Sequence, residues 1–138
     1  MIMSVNIFAV IAAAVVSTII GFAWYSPFLF GRQWMELMGL SMDKLNEEKS
    51  KGMGKIYGIS FVADAVTAGA LAYILSLQLI FDARDAVMLA GVVWVGFFVP
   101  VMLGSVLWEQ KSWKLFAINV GYRLAALVGM ALVVGLWQ

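Results

Sequence analysis

The stretch WKLFAINVGYRLAALVGMALVVGLW, Trp113–Trp137, decides the architecture. It is apolar almost from end to end, and its one formal charge beyond Lys114 is Arg123, near the middle. A helix needs about 20 apolar residues to cross a ~30 Å hydrocarbon core. This segment is long enough, and an isolated helix satisfies its own backbone in lipid. Three more segments have the same character, near Val5–Trp24, Ile56–Phe81 and Ala86–Trp108. The sequence therefore predicts an all-α, integral membrane four-helix bundle in one domain spanning 1–138, with the lipid bilayer as its first partner.

Composition supports this solvent. The chain is 64% hydrophobic with a mean hydropathy of +0.96, and only 12% of it is charged. Soluble domains are roughly 45–50% apolar and about 25% charged, and a small core cannot hide such an excess. There is no Cys and no His, which removes thiol nucleophiles, disulfides, haem ligation by His and the usual zinc sites. A net charge of +1 gives no reason to expect nucleic acid. Met1–Asn6 carries no Lys or Arg, so the first apolar run is expected to stay as a helix rather than be cleaved.

The connections are unequal. Asp82–Asp85 and Glu109–Ser112 read as tight turns, whereas 26–55 is long and holds most of the charge. Within it Phe30, Trp34, Leu37 and Met38 share one helical face, with Arg32, Gln33 and Glu36 on the other. This predicts a short amphipathic helix in the headgroup region, the alternative being a loop packed on the end of the bundle. Ser41 can cap a second short helix, with Asp43 in its first turn and a Glu47–Lys51 pair on its surface.

Seven of the nine Lys and Arg residues fall on one side: Arg32, Lys44, Lys49, Lys51, Lys55, Lys111 and Lys114. Arg84 is on the other side and Arg123 is inside a span. The positive-inside rule then makes the long loop cytoplasmic and leaves both termini outside. Such a bias fits parallel homo-oligomers better than a dual-topology dimer. Trp24, Tyr25, Trp34, Trp108 and Trp113 gather at the same interface, and Trp137 marks the opposite one.

Small residues recur at i,i+4 in span one (Ala9, Ala13, Ser17, Gly21) and span four (Ala117, Gly121, Ala125, Gly129). Such stripes permit close helix packing, although an Ala- and Gly-rich chain produces some by chance. Span three has Gly96, Pro100 and Gly104, with a kink expected at Pro100.

Asp64 lies about 12 Å into span two and Arg123 about 15 Å into span four, at 1.5 Å per residue. Both spans begin on the same side, so the two charges reach similar depth. Each, unpaired near mid-bilayer, costs about 2.5–3.5 kcal/mol or more, so they are expected to face inward and pair. Ser60 and Thr67 share the face of Asp64, Asn119 shares that of Arg123, and Ser17 and Thr18 come to the same level. The expectation is a polar layer of Asp64, Arg123, Asn119, Thr67 and Ser60. It serves either as a pathway for an ion or small solute or as a lock on helix register in a structural or partner-binding subunit. Tyr122 is expected to pack rather than join it. Catalysis is not expected, nor a cofactor: no second inward carboxylate sits near Asp64, and Ser17, Ser60 and Ser105 have no evident general base.

Two strings are more specific: WYSPFLFGRQW at Trp24–Trp34 and KLFAINVGYRL at Lys114–Leu124. Through Trp24, Tyr25, Pro27, Phe30, Gly31 and Trp34, and through Lys114, Phe116, Asn119, Gly121 and Tyr122, the chain resembles the bacterial domain-of-unknown-function family 1761. The resemblance covers nearly the whole chain. It implies a small four-span protein of a bacterial inner membrane and supplies no activity. It also implies that His is common where this chain has Arg123, so a titratable position here carries a permanent cation, which weighs against a proton relay. The first string has a physical reading too. Pro27 stops the helix, Gly31 permits a close turn, and the aromatic residues anchor the interface.

Overall fold

A computed structural model of the chain describes residues 5–38, 54–79 and 82–137. Its helices are α1 (Ile7–Trp24), α2 (Gly31–Met38), α3 (Gly54–Leu77), α4 (Ala83–Leu107) and α5 (Trp113–Leu136). All except α2 are long and apolar enough to cross a membrane, and no strand occurs among the described residues. The spans α3 and α4 begin two and three residues earlier than the hydropathy suggests. The expected second short helix, with Ser41, Asp43, Glu47 and Lys51, and the Ile80–Phe81 end of the second span lie outside the described residues.

Local chemistry sets the helix ends. The Asn6 side chain accepts from the backbone N–H groups of Phe8 (3.0 Å) and Ala9 (3.4 Å), and Ser112 accepts from Leu115 N–H at 3.0 Å. Both supply partners that a first helical turn lacks. After α4, Gln110 takes a left-handed conformation (φ 58°), and Lys111 N–H closes back on Ser105 O at 2.9 Å. That is the wrapped C-terminal cap which turns the chain tightly into α5.

The bundle is centred on α5, which packs against α1, α4 and α3; α1 also packs on α3, while α3 and α4 scarcely meet. Its interior is small-sided: Ala9, Ala13, Ala68, Ala72, Ala86, Ala90, Ala126 and Ala131 are buried with Leu71, Leu75, Leu127, Met130 and Val134. Bulky side chains such as Phe8, Ile19, Phe22, Val66, Phe97 and Val101 point outward. Lipid gives helices no hydrophobic reason to associate, so they hold by close approach, and the large residues belong on the acyl-chain side.

The small-residue stripe of α1 is used throughout. Ala9, Ala13 and Ser17 are fully buried, and a Cβ on Gly21 would come within 3.1 Å of the Tyr122 hydroxyl. On α5 the stripe is used in part. Gly121 faces Trp24 and Gly129 faces Ile20 and Val16, whereas Ala117 is exposed. The α4 stripe packs on no other helix: a Cβ on Gly96 would meet open space and one on Gly104 only Trp108 at the end of its own helix.

Helix α4 is the least buried span and contains a π turn at Trp94–Phe98, with Val99 N–H bonding to Trp94 O. Pro100, two residues on, has no N–H, and its ring crowds the carbonyl four residues earlier. The wider turn accommodates both problems. It also fixes Trp94, whose indole N–H donates to Val120 O of α5 at 2.7 Å. Trp94→Phe is expected to loosen α4 from α5 by about 1 kcal/mol, since a net intramolecular hydrogen bond contributes that much. Reversible unfolding in mixed micelles measures it.

Candidate functional site: an ion pair beside a lateral groove

Three helices converge on Asp64. From α3 its carboxylate Oδ1 lies 3.5 Å from Arg123 Nη1 of α5. Its Oδ2 accepts from the Ser17 hydroxyl of α1 at 3.1 Å. Tyr122 of α5 completes the cluster: its hydroxyl is 3.2 Å from Ser17 Oγ and 3.1 Å from Ser17 O. The sequence expectation for Tyr122 is corrected here. It is a polar member of the layer, because Gly21 on α1 leaves room for its ring tip. No buried side-chain polar atom among the described residues lacks a hydrogen-bond partner.

The two charges are unequally covered. The Asp64 side chain is 11% exposed and that of Arg123 is 40% exposed. The guanidinium lies 5.2 Å from the Tyr122 ring centroid. At 3.5 Å the Asp64 contact is longer than the ~2.7–2.9 Å of a strong charged hydrogen bond, and it uses one of two forked ends. What exposes Arg123 is the gap between α3 and α4. A groove of about 470 Å³ opens there, lined by Ala63, Asp64, Thr67, Phe97, Phe98, Val101, Met102 and Arg123.

The other expected members are distributed differently. Thr67 lines the groove, and its hydroxyl donates to Ala63 O one turn earlier at 3.1 Å. Thr18 likewise bonds back to Ala14 O. Ser60 is exposed on α3, one turn from Asp64 and outside the cluster. Over Gly54–Ser60 every residue is exposed, and the stretch meets α1 where the Tyr57 ring packs edge-on against Phe22. Asn119 lies one turn nearer the loop end than Arg123, where its Oδ1 accepts from the Tyr25 hydroxyl at 2.7 Å.

That contact belongs to a second assembly, built by the first string. Trp24 O accepts from Phe30 N–H (3.0 Å), and Ser26 O accepts from Leu29 N–H (3.1 Å) and Gly31 N–H (2.9 Å). This compact turn sets Trp24 against Phe30 and Tyr25 against Trp34 and Tyr122. The Trp24 indole donates to Ile118 O at 2.9 Å. Helix α2 is thereby held on α5, with Gly31 buried and Arg32, Gln33 and Glu36 at least partly open to the surroundings. Met38, expected on the apolar face, is exposed. Burial pushes the Tyr25 phenol up to about 12, opposed by Arg123 and reinforced by Tyr122, so it remains a donor to Asn119. Alternation of Trp, Tyr and Gly hints at an interface; the carbonyls at Ile118 and Val120 that receive indole N–H groups leave no trace in side-chain type.

Four helices long and apolar enough to cross a membrane, with an ion pair midway along them and an aromatic clamp at the end where α1 finishes, define a small multi-pass membrane protein. The profile of the family described as "Protein of unknown function (DUF1761)" matches residues 8–135. The chain belongs to that family, and the match spans both strings. No curated protein matches the chain, and no solved structure matches it.

Proposed function

We propose that the chain moves an ion or small solute, held on its way at the polar layer around Asp64 and Arg123. The observation that carries this reading is the 40% exposure of Arg123 at mid-depth. A pair serving only as a lock is expected to be sealed, because an uncovered cation in hydrocarbon is costly. One-sided access fits this reading. The turns of α3 before Asp64 stand exposed, while Leu71, Leu75, Leu127, Met130 and Val134 close the bundle beyond it. The Lys and Arg bias supports an inner-membrane orientation with 26–55 cytoplasmic and both termini outside. The closed far half favours a parallel homo-oligomer as the working unit. The proposal includes no catalysis and no cofactor.

The test is flux in proteoliposomes, read with potential- and pH-sensitive dyes under sodium, potassium or chloride gradients. Arg123→Gln is expected to lower the signal at least tenfold in folded protein. An unchanged signal overturns the proposal.

A second reading has its own observation. Asp64, Ser17, Tyr122 and Arg123 join α1, α3 and α5 through partners on both carboxylate oxygens. On this reading the protein is a structural or partner-binding subunit, and the pair only fixes helix register.

A further inference from the structure

We infer that the groove between α3 and α4 is a binding site for a single-chain amphiphile with an anionic head, a carboxylate or a phosphate, its head at Arg123 and its chain against α4. The inference concerns a ligand of the same polar layer and rests on the transport reading's account of that layer as open. Its test is equilibrium binding, so it can fail while flux persists, and binding can persist where flux fails.

Three observations point the same way. First, the groove combines the two chemistries of such a molecule. Asp64, Thr67 and Arg123 stand on its floor, and Phe97, Phe98, Val101 and Met102 form an apolar wall. Its volume, about 470 Å³, lies within the range of ordinary ligand sites. Second, it opens sideways. Ala63, Phe97 and Val101 are exposed, so a molecule dissolved in the bilayer enters without leaving lipid. Third, among the described residues the guanidinium keeps donors free beyond its one contact with Asp64. Arg123 is a permanent cation with five N–H donors. Among the described residues its side chain makes no hydrogen bond shorter than the 3.5 Å contact to Asp64.

A second copy of the chain does not supply an anion for those donors. Asp64 is the one acidic residue deep within any span; Asp82, Asp85 and Glu109 sit at span ends. A neighbouring protomer covering the groove therefore presents an apolar surface to a part-exposed cation. An amphiphile brings its own anion and fits the wall with its chain. The forked guanidinium matches both carboxylate and phosphate, so head chemistry is left to the measurement.

The experiment is binding to the whole protein in neutral maltoside micelles, by native mass spectrometry and calorimetry. The probes are dodecanoate, dodecyl phosphate and dodecyltrimethylammonium. One anionic probe per protomer is expected, with the cationic probe at least tenfold weaker although its chain is of matching length. Preference for dodecanoate points to free fatty acids, and preference for dodecyl phosphate to phosphate-headed lipids. Ala63→Phe, which fills the groove mouth and leaves the ion pair in place, is expected to weaken the anion at least tenfold, as is Arg123→Gln. Arg123→Lys is expected to retain part of the affinity. Equal binding of the cationic and anionic probes overturns the inference. So does unchanged anion binding in Ala63→Phe. The probe comparison uses unaltered protein, so a variant that misfolds leaves the inference open to refutation.

Discussion

Asp64→Asn is expected to destabilise the bundle by about 2–3 kcal/mol, and Arg123→Gln by a comparable amount, whereas the double variant recovers most of the loss. Removing one partner of a fully buried pair costs about 3–5 kcal/mol, because a charge is left uncompensated. The lower figure applies here since Arg123 is 40% exposed in its groove. With both charges gone, the new amide on α3 keeps an oxygen for the Ser17 hydroxyl. The new amide on α5 carries no charge, so the penalty of an orphan cation has vanished. Unfolding of all three proteins in mixed micelles, arranged as a double-mutant cycle, gives the coupling directly. A coupling within ~0.3 kcal/mol of zero refutes the pairing. The same double variant separates the two functional readings. If the pair is only a lock, function returns with folding; if the pair handles solute, the bundle folds and flux stays lost.

The largest steric effect is expected at Gly31. A Cβ there would be driven into the backbone oxygens of Tyr25 and Ser26. Neither can yield, because Ser26 O already accepts from Leu29 and Gly31 and the Tyr25 hydroxyl is tied to Asn119. Gly31→Val is expected to cost about 3 kcal/mol or more, at the upper end of what overpacking does. It is expected to release α2 from the end of α5. Limited proteolysis after Arg32, together with loss of the Tyr25–Tyr122 contact by tyrosine fluorescence, reports that release. A Gly31→Val protein with native protease resistance contradicts the turn geometry. By contrast, Gly129→Ala meets the tip of Ile20, which can rotate away, so a much smaller effect follows there.

The spans and the Asp64–Arg123 pairing were legible in the sequence for related reasons. Lipid forbids unsatisfied backbone and exposed charge, so long apolar runs and equal depth restrict the answer. The α1 stripe was legible because Ala, Ser and Gly at i,i+4 have one use when helices touch. What escaped depends on distances between helices. Nothing in the type of Tyr122 says that its ring spans to Ser17; that follows from the space at Gly21. Ser60 shares a helical face with Asp64, but it lies one turn short of the cluster and is left exposed. Pro100 announced a perturbation, and the chain answered with a π turn upstream, in which Trp94 reaches the Val120 carbonyl of α5.

The alanine-lined interior reverses the usual ranking of mutational harm. In a water-soluble bundle, trimming a core leucine does the damage. Here the inward faces of α1, α3, α4 and α5 are lined by methyl groups, at Ala13, Ala68, Ala86 and Ala131, all fully buried. Thickening any of these forces whole rods apart and weakens every contact along a seam at once. Shaving Phe8 or Val66 on the rim merely exchanges one hydrocarbon neighbour for another. Tolerance to variation is thus expected to run from permissive outside to strict within according to girth, with polarity a lesser influence.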